Sequence, residues 1–238
     1  MKRPPILDPR RVPLDPSDLE RAPALAPHLL TADAVRRRFT DPKPWQPEFV
    51  EDAYRIEGIT VRPAAVLVPL LDRPGGLSLL LTLRSASLLK HGGQVAFPGG
   101  RVDDGDAGVV EAALRETREE VGIEPSAVEV LGQMPQYRTG TGYVITPVVG
   151  LLGPATRLDS LRLEPAEVAE VFEVPLRFLM DPGNHQRRLF SWQQDDTEHQ
   201  RIFYTMPWRP DPAMEREFFI WGATAAMLRN LYRFLASE

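Results

Sequence analysis

Three glutamates, Glu116, Glu119 and Glu120, stand at i, i+3 and i+4 of one short segment, with Arg115 and Arg118 flanking the group. Residues three and four apart are surface neighbours on a helix, so this spacing gathers three carboxylates near a helix end. Like charges so placed oppose one another by roughly 0.2–0.5 kcal/mol per pair, and the last turns of a helix already present negative potential. The arginines relieve part of that repulsion. A hard divalent cation relieves more, because it takes carboxylate and carbonyl oxygens and keeps water ligands, which leaves room for a phosphate. On an arbitrary helix such a stripe is a solvated face, so the surrounding segments decide its meaning.

Upstream runs Gly92-Gly93-Gln94-Val95-Ala96-Phe97-Pro98-Gly99-Gly100, which reads as a short strand over 95–97 and a tight Pro-Gly-Gly loop. Glycines there let the backbone approach a neighbour closely and expose its carbonyls and amides. Gly100 precedes Arg115 by 15 residues. A helix is expected over about 107–121, with Asp106 as its N-cap and Gly122 as the left-handed residue past its end. Val110, Ala113, Leu114, Thr117 and Val121 form its buried stripe, and the glutamates form a second, acidic one.

The elements that must hold this pair of segments are strand-rich. Two apolar runs, 64–71 and 77–83, flank the turn 72–76 and read as paired buried strands. Further strands are expected over 128–134, 143–151, 169–174 and 201–206, and a second helix over 223–235. Many strands with separated helices give an α+β class, a mixed sheet packed against helices. Residues 1–45 differ: Pro4, Pro5, Pro9, Pro13, Pro16, Pro23, Pro27 and Pro42 interrupt any long element. One short helix over 31–39, capped by Thr31, is expected there. The chain is therefore divided into a proline-rich arm, 1–45, and a main domain, 46–238. The triplet Arg36-Arg37-Arg38 reads as a solvated face of the arm rather than a phosphate contact.

Composition narrows the classes further. There is no cysteine, so disulfide frameworks, thiolate metal sites and cysteine nucleophiles are excluded. A net charge of −5 argues against a nucleic-acid-coating protein, though local arginines and a metal can still make one cleft attractive to an anion. No apolar run reaches the roughly 18–20 residues of a membrane span. The first eleven residues have no apolar core of a signal peptide, and the expected compartment is the cytoplasm.

The residues from Gly100 to Ile123 resemble the Nudix box: a glycine, an acid some six positions on, then Arg115, Glu116, Glu119, Glu120, Gly122 and Ile123 in the second half of the pattern. Asp106 stands where the general box has glutamate, and Thr117 fills an apolar slot. Leu80-Leu81-Thr82-Leu83-Arg84-Ser85, the run 91–100, and the later segments 141–150, 167–175 and 220–226 are similar to the coenzyme A pyrophosphatase branch. Leu89 departs from that branch, which usually has an arginine there, and Lys90 is adjacent.

The resemblance implies a Nudix α/β/α sandwich and metal-dependent hydrolysis of a pyrophosphate bond in a nucleoside-diphosphate-linked substrate. On the branch pattern that substrate is coenzyme A or a derivative, cut to 3′,5′-ADP and 4′-phosphopantetheine. It implies Glu116 and Glu120 as principal ligands of Mg²⁺ or Mn²⁺, Glu119 as a further ligand or water activator, and the Gly100 carbonyl as a last ligand. Arg115 is expected to orient a glutamate, Glu167 to act as general base, and Arg84, Lys90 and Gly99 to meet the substrate. His91 is expected to anchor its loop, and Trp192, Phe203, Tyr204 and Trp208 to be core rather than to stack on a base. Branch members are often dimers, so a homodimer is an expectation of the resemblance alone. The alternatives are a Nudix pyrophosphatase for ADP-ribose, nucleotide sugars or dinucleoside polyphosphates, and a nucleotide-binding regulator without turnover.

Overall fold

The computed structural model describes residues 6, 8–17, 22–52, 60–194, 196–211, 213 and 215–237; residues 1–5 of the arm lie outside them. Eight strands form the main sheet: β1 (Arg62–Leu71), β2 (Ser78–Arg84), β3 (Val95–Ala96), β4 (Gly99–Arg101), β5 (Val128–Gln133), β6 (Tyr137–Arg138), β7 (Tyr143–Leu152) and β8 (Val168–Pro175). The central pair β1–β7 is parallel, and β1–β2, β1–β4, β2–β3, β2–β8, β5–β7 and β6–β7 are antiparallel. The expected α+β class and mixed sheet are what the chain adopts.

Period-two alternation along β1 sorts its side chains between two cores. Val68 and Leu70 join Leu79, Leu81, Val149 and Leu151 on the face covered by helix α4 (Gly222–Ala236). Ala65, Leu67 and Leu71 face the opposite way, with Leu80, Val148 and Leu152, beneath helix α2 (Val109–Val121). The sheet is thus the filling of an α/β/α sandwich. Helix α3 is one turn, Leu176–Leu179. A second sheet, in the order β11 (Phe218–Trp221), β10 (Thr197–Trp208), β9 (Gln186–Gln194), packs beside α4. No helix among the described residues is long and apolar enough to cross a membrane.

The β1–β2 hairpin is paired only at Leu70↔Leu79 and Leu71↔Ser78. Beyond that point the strands part: β3 continues on β2, while β4 takes the vacated edge of β1 at Ala64, Ala65 and Val66. Pro69 falls in the gap between the two partners, where no ladder donor is needed. The expected Pro-Gly-Gly loop is therefore partly strand, which pins Gly99 and Gly100 under α2.

In the arm, helix α1 (Ala32–Thr40) starts at Thr31, whose hydroxyl accepts from the Ala34 amide at 3.2 Å. The arm lies on the body: Leu14 bridges Arg188 beside β9, Arg36 pairs with Glu129, and Arg38 donates to the Phe234 carbonyl and to Ser237. Trp192 stacks with Phe190 and His199, Tyr204 meets Phe49, Trp208 meets Phe178 and Phe203 is buried, so these aromatics are packing residues.

Candidate active site

Helix α2 begins two residues later than the sequence suggests, with Gly108 at its N-cap, and Asp106 is not the cap. Glu111 closes the first turn instead, accepting from the Ala107 amide at 2.5 Å. Asp106 lies just outside the helix and is drawn to Arg115, which donates to its two oxygens at 2.8 and 3.0 Å; Asp106 also accepts from the Asp103 amide. These bonds hold its carboxyl down at about 2, with the Arg115 bond the larger cause. Gly122 ends the helix at φ 74°, as expected of a left-handed cap.

Arg115 is the hub of the N-terminal half of the site. Besides Asp106 it reaches Glu116 and Glu119 at 3.0 Å each, the Arg101 carbonyl at 3.1 Å and Asp103 at 3.6 Å. One guanidinium thereby ties the 101–106 loop to two of the three glutamates.

The three glutamates do not share one acidic stripe. Glu119 is half in solvent, its side chain 52% exposed, whereas Glu120 is buried at 3%. Buried with Glu120 on α2 are Ala112, Ala113, Thr117 and Val121; Val110 and Leu114 are only partly covered. Glu116 packs on the glycine ribbon: a Cβ at position 100 would stand 2.4 Å from its carboxyl carbon. Glu120 accepts from the Gly99 amide at 3.0 Å, and Arg84 approaches its other oxygen at 3.6 Å. Position 99 must also be glycine, since a Cβ would lie 2.4 Å from the Ala65 carbonyl oxygen. The ribbon's two glycines thus serve the two inner glutamates.

Burial pushes Glu120 up to about 7, with the Glu167 and Glu116 carboxylates adding to it against the Gly99 amide and Arg84. Burial also raises Glu116, opposed by Arg115 and reinforced by Glu119 and Glu167. Glu167 itself is exposed, at the end of the loop leading into β8. That loop is fixed to the helix end, because the Glu164 amide donates to the Glu120 carbonyl at 2.9 Å, and Ser85 beside Arg84 donates to the Glu167 carbonyl at 2.8 Å. Lys90 and Leu89 are exposed on the 85–93 loop, and His91 there meets Gln94 at 3.1 Å.

The sequence-derived residues Glu116, Glu119, Glu120, Arg115, Gly99, Gly100, Arg84 and Glu167 therefore surround one helix end and the ribbon beside it, while Lys90 sits on the adjoining loop. Among the described residues no three acids or histidines converge as a ready-made metal site. Two roles escaped sequence reading: Asp106 as partner of Arg115, and the Glu164 amide as a cap for the helix. The eight residues that separate Asp106 from Arg115 carried the first signal; nothing local announced the second.

A family model described as "NUDIX domain" matches residues 61–200. A protein of Escherichia coli O1:K1 named "Uncharacterized Nudix hydrolase NudL" is 45% identical over 175 residues, covering 74% of this chain and 83% of that protein. A protein of the same name from Shigella boydii serotype 18 matches to the same extent. Among solved structures, a Nudix hydrolase from M. smegmatis, RenU, is 22% identical with a TM-score of 0.43, covering 55% of this chain and 81% of that one.

Proposed function

The chain belongs to the Nudix family as a pyrophosphohydrolase acting on nucleoside-diphosphate-linked substrates, and from that premise we propose that its substrate is coenzyme A or a derivative, cut to 3′,5′-ADP and 4′-phosphopantetheine. The observation that carries the reading is the seat of Glu120. It is a buried carboxylate set between the Gly99 amide and Arg84, next to a second carboxylate laid on Gly100. Both contacts come from the run 80–100, the stretch similar to the coenzyme A pyrophosphatase branch.

Glu116 and Glu120, with Glu119 and the Gly100 carbonyl, are the groups that would hold Mg²⁺ or Mn²⁺. The donor set fits a hard cation: all are oxygens, and the carboxylates outnumber the guanidiniums that face them. When bound, such an ion neutralises bridging phosphate oxygens and acidifies a water. The protein's own groups do the rest. Arg84 and Lys90 would meet the diphosphate with positive charge, beside the Gly99 backbone whose amide holds Glu120. Arg115 holds Glu116 and Glu119 in place, and Glu167 takes the proton of the attacking water.

Incubation of the protein with coenzyme A and Mn²⁺, followed by mass spectrometry, is expected to show 3′,5′-ADP and 4′-phosphopantetheine. Intact coenzyme A beside cleaved ADP-ribose, nucleotide sugar or dinucleoside polyphosphate would move the reading to a different Nudix substrate. One observation favours that second reading: Leu89, at the position where the branch usually has arginine, is fully exposed and apolar.

A further inference from the structure

Three side chains on adjacent strands form a cationic patch that the site described above leaves unused. Arg62 of β1 stands directly beside Tyr143 of β7, and Arg101 of β4 is paired to Ala64, two residues along β1. Residues two apart share a face, so Arg62, Arg101 and Tyr143 project together. The Arg101 guanidinium donates to the Tyr143 hydroxyl at 3.3 Å and lies over its ring, 6.0 Å from the centroid. Arg101 first, and Arg62 more weakly, draw the phenol below its usual range. The small, buried Ala64 lets Arg101 reach across β1.

What marks the patch is the lack of acid. In a chain of net charge −5, the two guanidiniums that reach the site's glutamates are matched: Arg115 with Asp106 and two glutamates, Arg84 with Glu120. Arg62 and Arg101 are exposed, and among the described residues neither forms an ion pair with a carboxylate. Asp103, which the Arg101 charge senses, is turned to Arg115. Two exposed guanidiniums converging on one hydroxyl make a fork that suits a phosphate dianion. It begins one residue beyond Gly100 but projects from the sheet face opposite the one on which Glu116 packs, so a substrate would reach it across the glycine ribbon.

We propose that Arg62, Arg101 and Tyr143 form a subsite for a phosphomonoester carried by the substrate in addition to the diphosphate that is cut. The assignment rests on the proposed reading of the site, and it adds a basis for selectivity: a substrate with that extra phosphate is held at two points, one without it at one. The subsite binds charge and takes no part in bond breaking.

The test is calorimetric binding of 3′,5′-ADP and 5′-AMP to the full-length protein without divalent metal, so no turnover is needed. Wild type is expected to prefer 3′,5′-ADP by roughly tenfold or more, the scale of one charge-assisted contact pair. That preference should fall to near unity in Arg62→Gln/Arg101→Gln, drop partially in Tyr143→Phe, and shrink as salt rises from about 0.05 to 0.3 M. Equal affinities in wild type, or a preference that survives the double substitution, would overturn the subsite. A preference that disappears in the double variant of a protein unable to cleave coenzyme A would support the subsite and overturn the catalytic reading, so the two fail separately.

Discussion

Glu120 at the end of α2 and Glu48 beneath α4 are both withdrawn from solvent, yet their electrical settings are opposite. Glu48 receives two guanidiniums on one oxygen, Arg229 at 2.6 Å and Arg233 at 3.0 Å, and its amide donates to Asn230 at 2.9 Å. Arg229 also donates to His185 at 3.0 Å and lies over Tyr204 and Tyr232. Glu120 has one guanidinium at 3.6 Å and two carboxylates working against it. The first cluster is balanced and fastens the segment just after the arm to α4. The second is short of positive charge. A region whose charges are matched serves folding, and one left in deficit is poised for something brought from outside.

The sharpest break of this contrast is Glu120→Gln. It is expected to remove activity by on the order of 10³-fold, because the carboxylate proposed to hold the metal is gone. The metal-free protein should stay as stable or gain stability, since one crowded charge is removed. Turnover assays beside urea unfolding check both halves, and near-normal turnover with metal present would end the assignment. Arg229→Met should do the reverse. Stability falls by about 1–3 kcal/mol, because Glu48 keeps only Arg233 and the buried His185 Nδ1 loses its donor, while specific activity of the folded fraction is retained.

The matched cluster also carries a pH signature. Arg229 can only donate, so His185 Nδ1 is the acceptor and Nε2 holds the proton that goes to the Leu179 carbonyl at 2.8 Å. Burial, more than the Arg229 charge, lowers His185 to about 4 from 6.5. Between those values the unfolded chain binds more protons, so stability is full above pH 6.5 and declines as pH falls toward 4. The loss is about 3 kcal/mol at most. Denaturation curves across that window check it, and His185→Gln should flatten the slope. The smallest effect is expected for Arg115→Lys, roughly 10- to 100-fold in activity, because one ammonium cannot serve Asp106, Glu116 and Glu119 together. Steady-state kinetics at saturating Mn²⁺ would show it.

Much of this organisation could be read from the chain itself. The start of α1 at Thr31, the left-handed Gly122, and strands β1, β2, β5, β7 and β8 follow from capping chemistry and apolar runs. Strand β9 did not, because Gln186 to Gln194 carries two arginines and several amides whose partners, such as Thr205 and the arm's carbonyls, are distant in sequence. Glycine-rich β4 reads as a turn because its strand character is imposed by the open edge of β1. The burial of Glu120 was within reach: it lies seven residues, about two helical turns, after Ala113, and so on the covered face. The tendency to place every glutamate in solvent hid it. What stayed out of reach in the site was the fixing of Glu167, which depends on a main-chain bond from a loop some forty residues after the helix cap.

That bond closes a circuit. From the Glu120 carbonyl the chain runs through Glu164 and Glu167 into β8, across to β2, out along Arg84 and back to the Glu120 carboxylate. A mechanical ring of this kind tolerates changes of side chain along 165–166 but not changes of length. Adding or deleting one residue there would slide β8 a step along β2, or else pull Glu167 off its mark.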